Sequence, residues 1–543
     1  MKFKFLFSLF LGSALTVSAQ GYKDGIEYYR ADQLNNAKSI LERTLNDAST
    51  DKSMSYYYLG QIALNAGDQK TAVTNFNNGI NANPENGYNY VGLGAVELLK
   101  GNDKVAEDLF KTARKFAKKD DLLISDIARA YYNVDPAEYA EDIEKCIKDA
   151  LKANKTSAAI MVFQGDVDAD NEKIGDAAAK YENAIYNDPN AIDAYVKYAN
   201  VYFPVNARFA IGKLQELLAL QPNSALAQRE LAEKYYQNDQ LTRSAQQYGE
   251  YIKNPNHFKE DEERYAVLLY FGKNYDESYN LAQRILGEDP NSFLMYRILF
   301  LNKAAKQEYN EARTLAENFF TKNGQFTSND YMTYGTVLKE LGEDSLAVIQ
   351  VEKAVELDPQ NIDLLRELSS VYAGKKDYAK SAATYQRIIE NCEYNTNDLL
   401  MATIRLTSLA STSVPGSPEK IDAIAKAENY INQVIERAPD NYTVYQRKAR
   451  VMIAKDDSLR TTAEAVDVYK QMIEVLDKDA NNVVENKKAY IEAYNLIAGY
   501  YFDNDDLDNA ILYYEKYLGI DPENAALQEY VATLKEKQAK LKK

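Results

Sequence analysis

The sequence holds few of the residues from which most enzyme active sites are built. Its 543 residues include one histidine, two cysteines and no tryptophan. The one histidine, His257, leaves no partner for a two-histidine zinc motif. It also argues against a Ser-His-Asp triad, because it stands at a predicted junction between helices. No G-x-x-x-x-G-K-[ST] phosphate loop occurs either. The sequence therefore predicts no enzyme, no cofactor and no metal site.

Long apolar runs are missing beyond the first twenty residues, where no stretch approaches the 18 apolar residues of a membrane span. Residues 1–19 combine a basic start (Lys2, Lys4), an apolar run over 5–15 and small residues at 17–19. This arrangement is typical of a cleaved secretory signal peptide, and no cysteine follows it that could carry a lipid. We expect a periplasmic or otherwise exported protein without a transmembrane segment. Peripheral association with the outer membrane stays open.

Basic residues are outnumbered, with 64 Lys and Arg against 81 Asp and Glu, and the net charge is −17. Removal of the two signal-peptide lysines makes it −19. A chain this acidic, with no basic stripe, repels a phosphate backbone, which excludes a nucleic-acid-binding function. The excess of carboxylates favours a basic protein or peptide as partner.

Proline is scarce too, with twelve residues, yet eight of them recur at a nearly fixed distance. Four successive gaps of 33, 33, 35 and 69 residues are one or two multiples of about 34. Such a period is typical of stacked helix-turn-helix units, in which proline ends the second helix because it cannot continue the hydrogen-bond ladder. The eight are Pro84, Pro189, Pro222, Pro255, Pro290, Pro359, Pro439 and Pro522.

Three segments of about 34 residues share one residue pattern. The clearest contains Tyr56, Leu59, Gly60, Ala63, Ala72, Phe76, Gly79 and Pro84. Residues 328–361 and 491–524 carry matching residues at the same spacing. The pattern resembles that of the tetratricopeptide repeat family, W-x2-L-G-x2-Y followed by A-x3-F and P. Tyrosine, with 44 residues, fills the positions where the family has tryptophan.

The fold class predicted is therefore all-α, a right-handed solenoid of about fourteen such repeats with a C-terminal capping helix. We expect an N-terminal array over 20–410, a loop insertion over 411–420, a second array over 421–524 and the cap over 525–543. In the cap, Leu527, Tyr530, Val531 and Leu534 are expected to face inward.

The two cysteines lie about seven repeats apart. Because each solenoid unit is expected to contact only its neighbours, Cys146 and Cys392 cannot form a disulfide with each other. They are either small buried side chains or the donors of an intermolecular bridge.

One acidic cluster invites comparison with a calcium loop. Asp166, Asp168 and Asp170 alternate as in the first half of such a loop. The second half fails, because Asn171 stands where the sharp turn needs glycine and Ala177 where a bidentate glutamate belongs. A turn between two helices explains the cluster without a metal.

The resemblance implies that partners bind in the concave groove, which the first helix of each repeat lines. Carried over to this chain, the groove residues are Tyr57, Gln61, Tyr88, Asp166, Met332, Thr336, Arg366, Ser370 and Asn495. The Lys, Asn and Arg clamp with which chaperone-binding members hold a C-terminal carboxylate is absent from these faces.

These observations favour a non-enzymatic scaffold of the bacterial cell envelope that binds a protein or extended peptide in its groove. The alternative is an accessory protein for glycan or nutrient uptake at the outer membrane, since sugars stack on aromatic rings and tyrosine is abundant. The absence of tryptophan and of long loops counts against that alternative.

Overall fold

The computed structural model describes residues 21–479 and 481–541, and all regular elements in these ranges are α-helices. The described helical residues before Ala31 are 21–30 (α1). The helices that follow in the first half are α2 Leu34–Thr44, α3 Lys52–Asn65, α4 Gln69–Ala82, α5 Gly87–Leu99, α6 Asp103–Phe116, α7 Asp121–Val134, α8 Ala140–Ala153, α9 Ala158–Asp170, α10 Ile174–Asn187, α11 Ile192–Tyr202, α12 Ala207–Leu220, α13 Ala225–Gln237, α14 Leu241–Tyr251, α15 Lys259–Phe271 and α16 Tyr275–Glu288. The remainder are α17 Phe293–Ala305, α18 Tyr309–Phe319, α19 Ser328–Glu340, α20 Asp344–Leu357, α21 Ile362–Gly374, α22 Tyr378–Asn391, α23 Thr396–Thr412, α24 Pro418–Arg437, α25 Tyr442–Lys455, α26 Ala463–Leu476, α27 Asn482–Glu485, α28 Lys487–Asp503, α29 Leu507–Ile520 and α30 Ala525–Leu541.

Within these ranges the helices follow one another as fourteen helix-turn-helix pairs, which confirms the predicted solenoid of repeats. Each of the eight periodic prolines stands two to four residues after the second helix of a pair; Pro84, for example, follows α4 and Pro359 follows α20. After four of the eight, Pro84, Pro359, Pro439 and Pro522, an asparagine two residues on caps the next helix. The Asn86 and Asn361 side chains accept hydrogen bonds from the amides of Tyr88 and Leu364, respectively.

The turn inside each pair repeats as well. A residue with positive φ stands between the two helices, at a spacing close to 34 where successive pairs have one. Glycine adopts this left-handed backbone without a steric penalty, whereas other residues bear a modest cost. The positions include Asp32, Gly67, Gly101, Glu172, Asp239, Lys273, Gln307, Gly342, Lys376 and Asp505.

The small residue of the motif lets the helices of a pair approach closely. A Cβ added to Gly60 would lie 2.3 Å from the ring of Phe76, and one added to Gly92 in the next first helix would lie equally close to the same ring. Gly335 meets Val351 in the same way, at 2.6 Å. Phe76 is thus clamped between two glycines and is fully buried.

The described residues form two compact units, which divide between Leu299 and Phe300. In the second unit, α30 covers the last pair with Val531 and Leu534, which are 4% and 3% exposed, and Leu527 packs beside them. This arrangement confirms the predicted cap. Tyr530 stays 38% exposed, although its ring touches Tyr514.

Half of the insertion predicted over 411–420 is helical. α23 runs to Thr412 and α24 begins at Pro418, so only residues 413–417 connect them. The added residues lengthen the two helices to 17 and 20 residues, compared with 11 to 14 for the helices of most other pairs. The predicted division of the array at this loop stays a prediction.

Candidate functional site

In the first unit, the N-terminal helix pair contacts parts of the chain that lie five to seven pairs further along. Tyr28 of α1 is fully buried, and its ring meets the ring of Phe258 edge-on at 5.4 Å. The amide of Asn256 donates to Asp24 at 2.5 Å and accepts from Arg43 at 2.8 Å. The expectation that each repeat contacts only its neighbours is therefore wrong here.

Polar contacts extend this closure along α13. Ser224 donates to Glu27 at 2.9 Å, and Gln33 donates to Glu230 at 2.5 Å. The guanidinium of Arg229 donates to Gln33 at 3.3 Å. We call α1, α2 and their connection the latch (residues 21–44), because they join the two ends of a ring of first helices. This closure follows from tertiary contacts alone, since residues 24 and 256 are 232 positions apart.

The ring encloses a cavity of about 740 Å³, which we call the chamber. Its walls come mainly from α1, α3, α5, α7, α9 and α11, all of them first helices of their pairs. The predicted groove residues Tyr57, Gln61 and Asp166 line the chamber, and their role in binding stays a prediction. Its charged side chains are Arg30, Asp32, Asp126, Arg129, Asp166, Asp170, Asp193 and Lys197.

One part of the chamber wall is a completed charge network. Asp166, whose side chain is 12% exposed, accepts from Arg129 at 2.6 Å, from the Tyr181 hydroxyl at 2.8 Å and from Lys197 at 3.0 Å. Lys197 also pairs with Asp32 of the latch. Burial acts to raise the pKa of Asp166, but the charges of Arg129 and Lys197 outweigh it and hold the pKa below its usual value. Asp166 is therefore a carboxylate that stabilises the ring.

Three other charged groups on the wall lack such partners. Among the described residues, Arg30, Asp126 and Asp193 form no ion pair within 4.0 Å. Arg30 donates only to the Tyr58 hydroxyl, at 2.9 and 3.2 Å, and Asp126 accepts only from Tyr57, at 2.8 Å.

The electrostatics of these groups reflect their isolation. Burial raises the pKa of Asp126 and of Asp193, and the positive charge of Arg30 offsets this only in part. For Arg30, burial acts to lower the pKa, but Tyr58 and the two aspartates outweigh it, so the guanidinium stays charged. The chamber thus presents charges of both signs whose counter-charges are incomplete.

Tyrosine rings form the wall next to these charges. The Tyr58 ring centre lies 5.0 Å from those of Tyr29 and Tyr57, tilted against the first and edge-on to the second, and the Tyr57 ring centre lies 5.3 Å from that of Tyr88. Tyr57 is only 2% exposed, and the hydroxyl of Tyr88 donates to Asp120 at 2.9 Å. Of the predicted groove residues, Tyr57 therefore lines the chamber with mainly structural contacts, and Tyr88 packs against it without lining the chamber.

A second cavity, of about 510 Å³, adjoins the chamber. Arg30 and Asp193 line both cavities, together with three apolar residues, Leu122, Ala159 and Val162. Two of the three unpaired charges, Arg30 and Asp193, therefore stand where the two cavities meet, and Asp126 lines only the chamber.

The predicted groove residues of the second unit do not line the chamber. The Arg366 guanidinium makes a two-pronged contact with Asp398, at 2.9 Å for each nitrogen. Met332, Thr336 and Ser370 are half-buried, and Asn495 is exposed. Their roles in binding stay predictions.

The acidic cluster at 166–170 lies within the last turns of α9, not in a loop. Asp166 and Asp170 line the chamber and Asp168 does not, and Asp166 pairs with Arg129. In the described ranges no group of three or more His, Cys, Asp or Glu is arranged to hold a metal ion.

Both cysteines are free, Cys146 buried and Cys392 half-buried.

Sequence reasoning missed Arg30, Asp126, Asp193 and Lys197. Charged residues on the inner face of a helix have the same pattern as solvated ones, and only closure of the ring buries them. A usable signal was the pair Asp193 and Lys197, four residues apart on the groove side of a first helix.

Among helices in the described residues, none is both long and apolar enough to cross a membrane.

Comparison with known proteins agrees with this architecture. The tetratricopeptide repeat family model matches residues 331–361 and 491–524, two of the three segments that carried the resemblance. A search of curated proteins gives no significant match.

Several solved structures are similar to parts of the chain. One is the C-terminal part of a TPR repeat-containing protein from Cytophaga hutchinsonii, with 24% identity and a TM-score of 0.40, covering 49% of this chain and 98% of that one. Another is a tetratricopeptide repeat protein from Parabacteroides merdae, with 19% identity and a TM-score of 0.27, covering 47% and 96%. A third is YrrB, described as a TPR protein with an unusual peptide-binding site, with 17% identity and a TM-score of 0.31, covering 38% and 98%.

Proposed function

We propose that this protein, built of tetratricopeptide repeats, is a non-enzymatic binding scaffold of the cell envelope that holds a peptide segment of a partner protein in the chamber of its first unit. The observation that carries the proposal is the chamber itself. It is about 740 Å³ in volume, lies on the side lined by first helices, and presents tyrosine rings beside charges that lack ion-pair partners.

The chamber has the size and lining of a binding site. Ligand pockets measure about 300–1,000 Å³ and combine aromatic walls with a few converging polar groups. Tyrosine suits such walls because its ring is apolar and its hydroxyl is polar. Tetratricopeptide repeat proteins generally mediate protein-protein interactions, and this supports a peptide as the ligand.

The cellular setting rests on residues 1–19, which lie outside the described residues. Their basic start, apolar run and small-residue end support export and cleavage. Cell fractionation with N-terminal sequencing tests this part: a mature chain that starts near Gln20 in the periplasmic fraction supports export. A full-length chain in the cytoplasm contradicts it.

The binding role is testable by photo-cross-linking in the protein's own envelope. The photoreactive residue benzoylphenylalanine replaces Leu122, which lines both cavities, and in a control replaces Phe209, which is 61% exposed on the second helix α12. We expect one protein, cross-linked through one defined peptide, from position 122 and not from position 209.

Equal cross-linking at both positions, or none at position 122, contradicts a partner in the chamber. If none is found at 122 while a neutral oligosaccharide binds the purified protein, the alternative of a glycan-uptake accessory is favoured.

A further inference from the structure

The unpaired charges of the chamber restrict what can bind there. Arg30 on α1, Asp126 on α7 and Asp193 on α11 come from three different first helices of the ring. Their nearest fixed partners are tyrosine hydroxyls and a backbone amide: Tyr58 for Arg30, Tyr57 for Asp126 and the Ala194 amide for Asp193. Away from water, a charge without a close counter-charge is costly. A ligand that supplies the counter-charges therefore gains more here than on an open surface.

A ligand whose charges are all of one sign can neutralise only part of this set of three residues. A purely cationic group satisfies Asp126 and Asp193 but approaches Arg30, which it repels. A purely anionic group neutralises Arg30 and leaves the two half-buried carboxylates without a counter-charge. A ligand with one positive and one negative group satisfies all three residues, and like-charge contacts oppose its reversed placement.

We infer that the chamber binds an amphoteric peptide segment, with a basic side chain held by Asp126 and Asp193 and an acidic group held by Arg30. The inference rests on the proposed peptide-binding function and names the chemistry of its ligand. Tyr29, which is half-buried, offers the basic group an aromatic ring, and aromatic faces attract cations, whereas Tyr57 and Tyr58 are 2% and 1% exposed and support the wall. Arg129 and Lys197 are ion-paired with Asp166. Their charges also lower the pKa values of Asp126 and Asp193, respectively, but less than burial raises them, so both pKa values stay raised.

Calorimetry with short peptides tests the inference directly. The probes are the acetylated, amidated peptides Arg-Gly-Glu and Glu-Gly-Arg. Each is used in four forms: unchanged, with citrulline in place of Arg, with Gln in place of Glu, and with both replacements. These changes remove one charge at a time and keep the size of the side chain. We expect the doubly charged form in at least one order to bind about tenfold or more tightly than either singly charged form. A tenfold change corresponds to about 1.4 kcal/mol of binding free energy.

Matched variants assign each charge to its partner. In Asp126→Asn and Asp193→Asn, we expect the Arg form to lose its advantage over the citrulline form. In Arg30→Gln, we expect the Glu form to lose its advantage over the Gln form while the preference for Arg remains. Asp176→Asn, on the exposed face of the second helix α10, removes the same charge outside the chamber and should leave every affinity unchanged.

The stability of the variants separates a binding role from a structural one. Because burial disfavours the ionised forms of Asp126 and Asp193, their replacement by Asn should keep or raise the melting temperature at pH 7. A fall of both melting temperatures, equal binding of all four peptide forms, or no binding in either order overturns the inference. If cross-linking from position 122 still succeeds, the proposed function survives and only the ligand class is wrong.

Discussion

At the residue scale, two aspartates in one cavity differ because of their neighbours. Asp166 has Arg129 and Lys197 within 3.0 Å, whereas Asp126 has only a tyrosine hydroxyl within hydrogen-bonding distance. The same residue type therefore stabilises the ring at one position and is available to a ligand at the other.

Replacing Asp166 by Asn leaves Arg129 and Lys197 without a full counter-charge. Loss of one partner of a buried pair costs about 3 kcal/mol, so we expect a fall of that order in the free energy of unfolding at pH 7. Because the pKa of Asp166 is lowered, this stabilisation is present above pH 4 and lost as the pH falls through the folded-state pKa. Urea denaturation at pH 7 and pH 3 measures both effects. An Asp166→Asn protein as stable as the wild type at pH 7 contradicts the network.

Glycine at position 60 is required by packing. Gly60→Ala places a methyl group 2.3 Å from the Phe76 ring, and such overpacking costs about 1–3 kcal/mol. Gly212→Ala, within α12, meets no atom within 4 Å and should stabilise by about 0.5–1 kcal/mol through helix propensity. Thermal denaturation of the two variants should give shifts of opposite sign. Shifts of the same sign would be inconsistent with the close approach of the helices.

At the element scale, the latch carries two carboxyl groups one helical turn apart. Burial raises the pKa of Asp24 to about 6, against the hydrogen bond from Asn256 and the charge of Arg43. Burial, and then the charge of Asp24, raises the pKa of Glu27 to about 8.

The other groups that face Glu27 act in both directions. Ser224 and Arg30 lower its pKa, whereas Asp193 raises it. Since both carboxyls have raised pKa values when the latch is closed, closure is strongest below pH 4. It weakens as the pH rises through about 6 and then about 8.

A tryptophan at position 258 reports this change, because the chain has no other. In Phe258→Trp, the indole takes the place of the ring that meets Tyr28, so opening of the latch should move its emission to longer wavelength. We expect this shift between pH 5 and pH 9. Glu27→Gln in the same background should remove the part of the emission shift that occurs above pH 6. Emission independent of pH contradicts a titrating latch.

The helices themselves were predictable, because proline, glycine and the capping asparagines act within a few residues of their own position. Pro359 and Asn361, for instance, end one helix and start the next. Contacts such as that between Asp24 and Asn256 have no local signature, and they decide which charges are buried. For this reason the sequence placed Tyr57, Gln61 and Asp166 on the inner surface but gave no indication of Arg30 or Asp126 as site residues.

At the scale of the whole molecule, the two compact units are expected to unfold separately. Repeat arrays are stabilised by nearest-neighbour contacts, and long arrays lose cooperativity. Calorimetry should therefore resolve more than one transition. Gly60→Ala should lower one of them and Gly335→Ala another, because each glycine belongs to a different unit. A single transition that both substitutions lower equally would show that the array unfolds as one cooperative body.

Hydrogen exchange of the full mature chain tests the central claim, that the chamber of the first unit is the binding site. Exchange is measured with and without a saturating amount of the acetylated Arg-Gly-Glu or Glu-Gly-Arg peptide, whichever binds more tightly. We predict slower exchange in the first helices α7, α9 and α11 and unchanged exchange in the second helices α10 and α12. Slowing confined to second helices or to the second unit, or no change at all, would contradict the account.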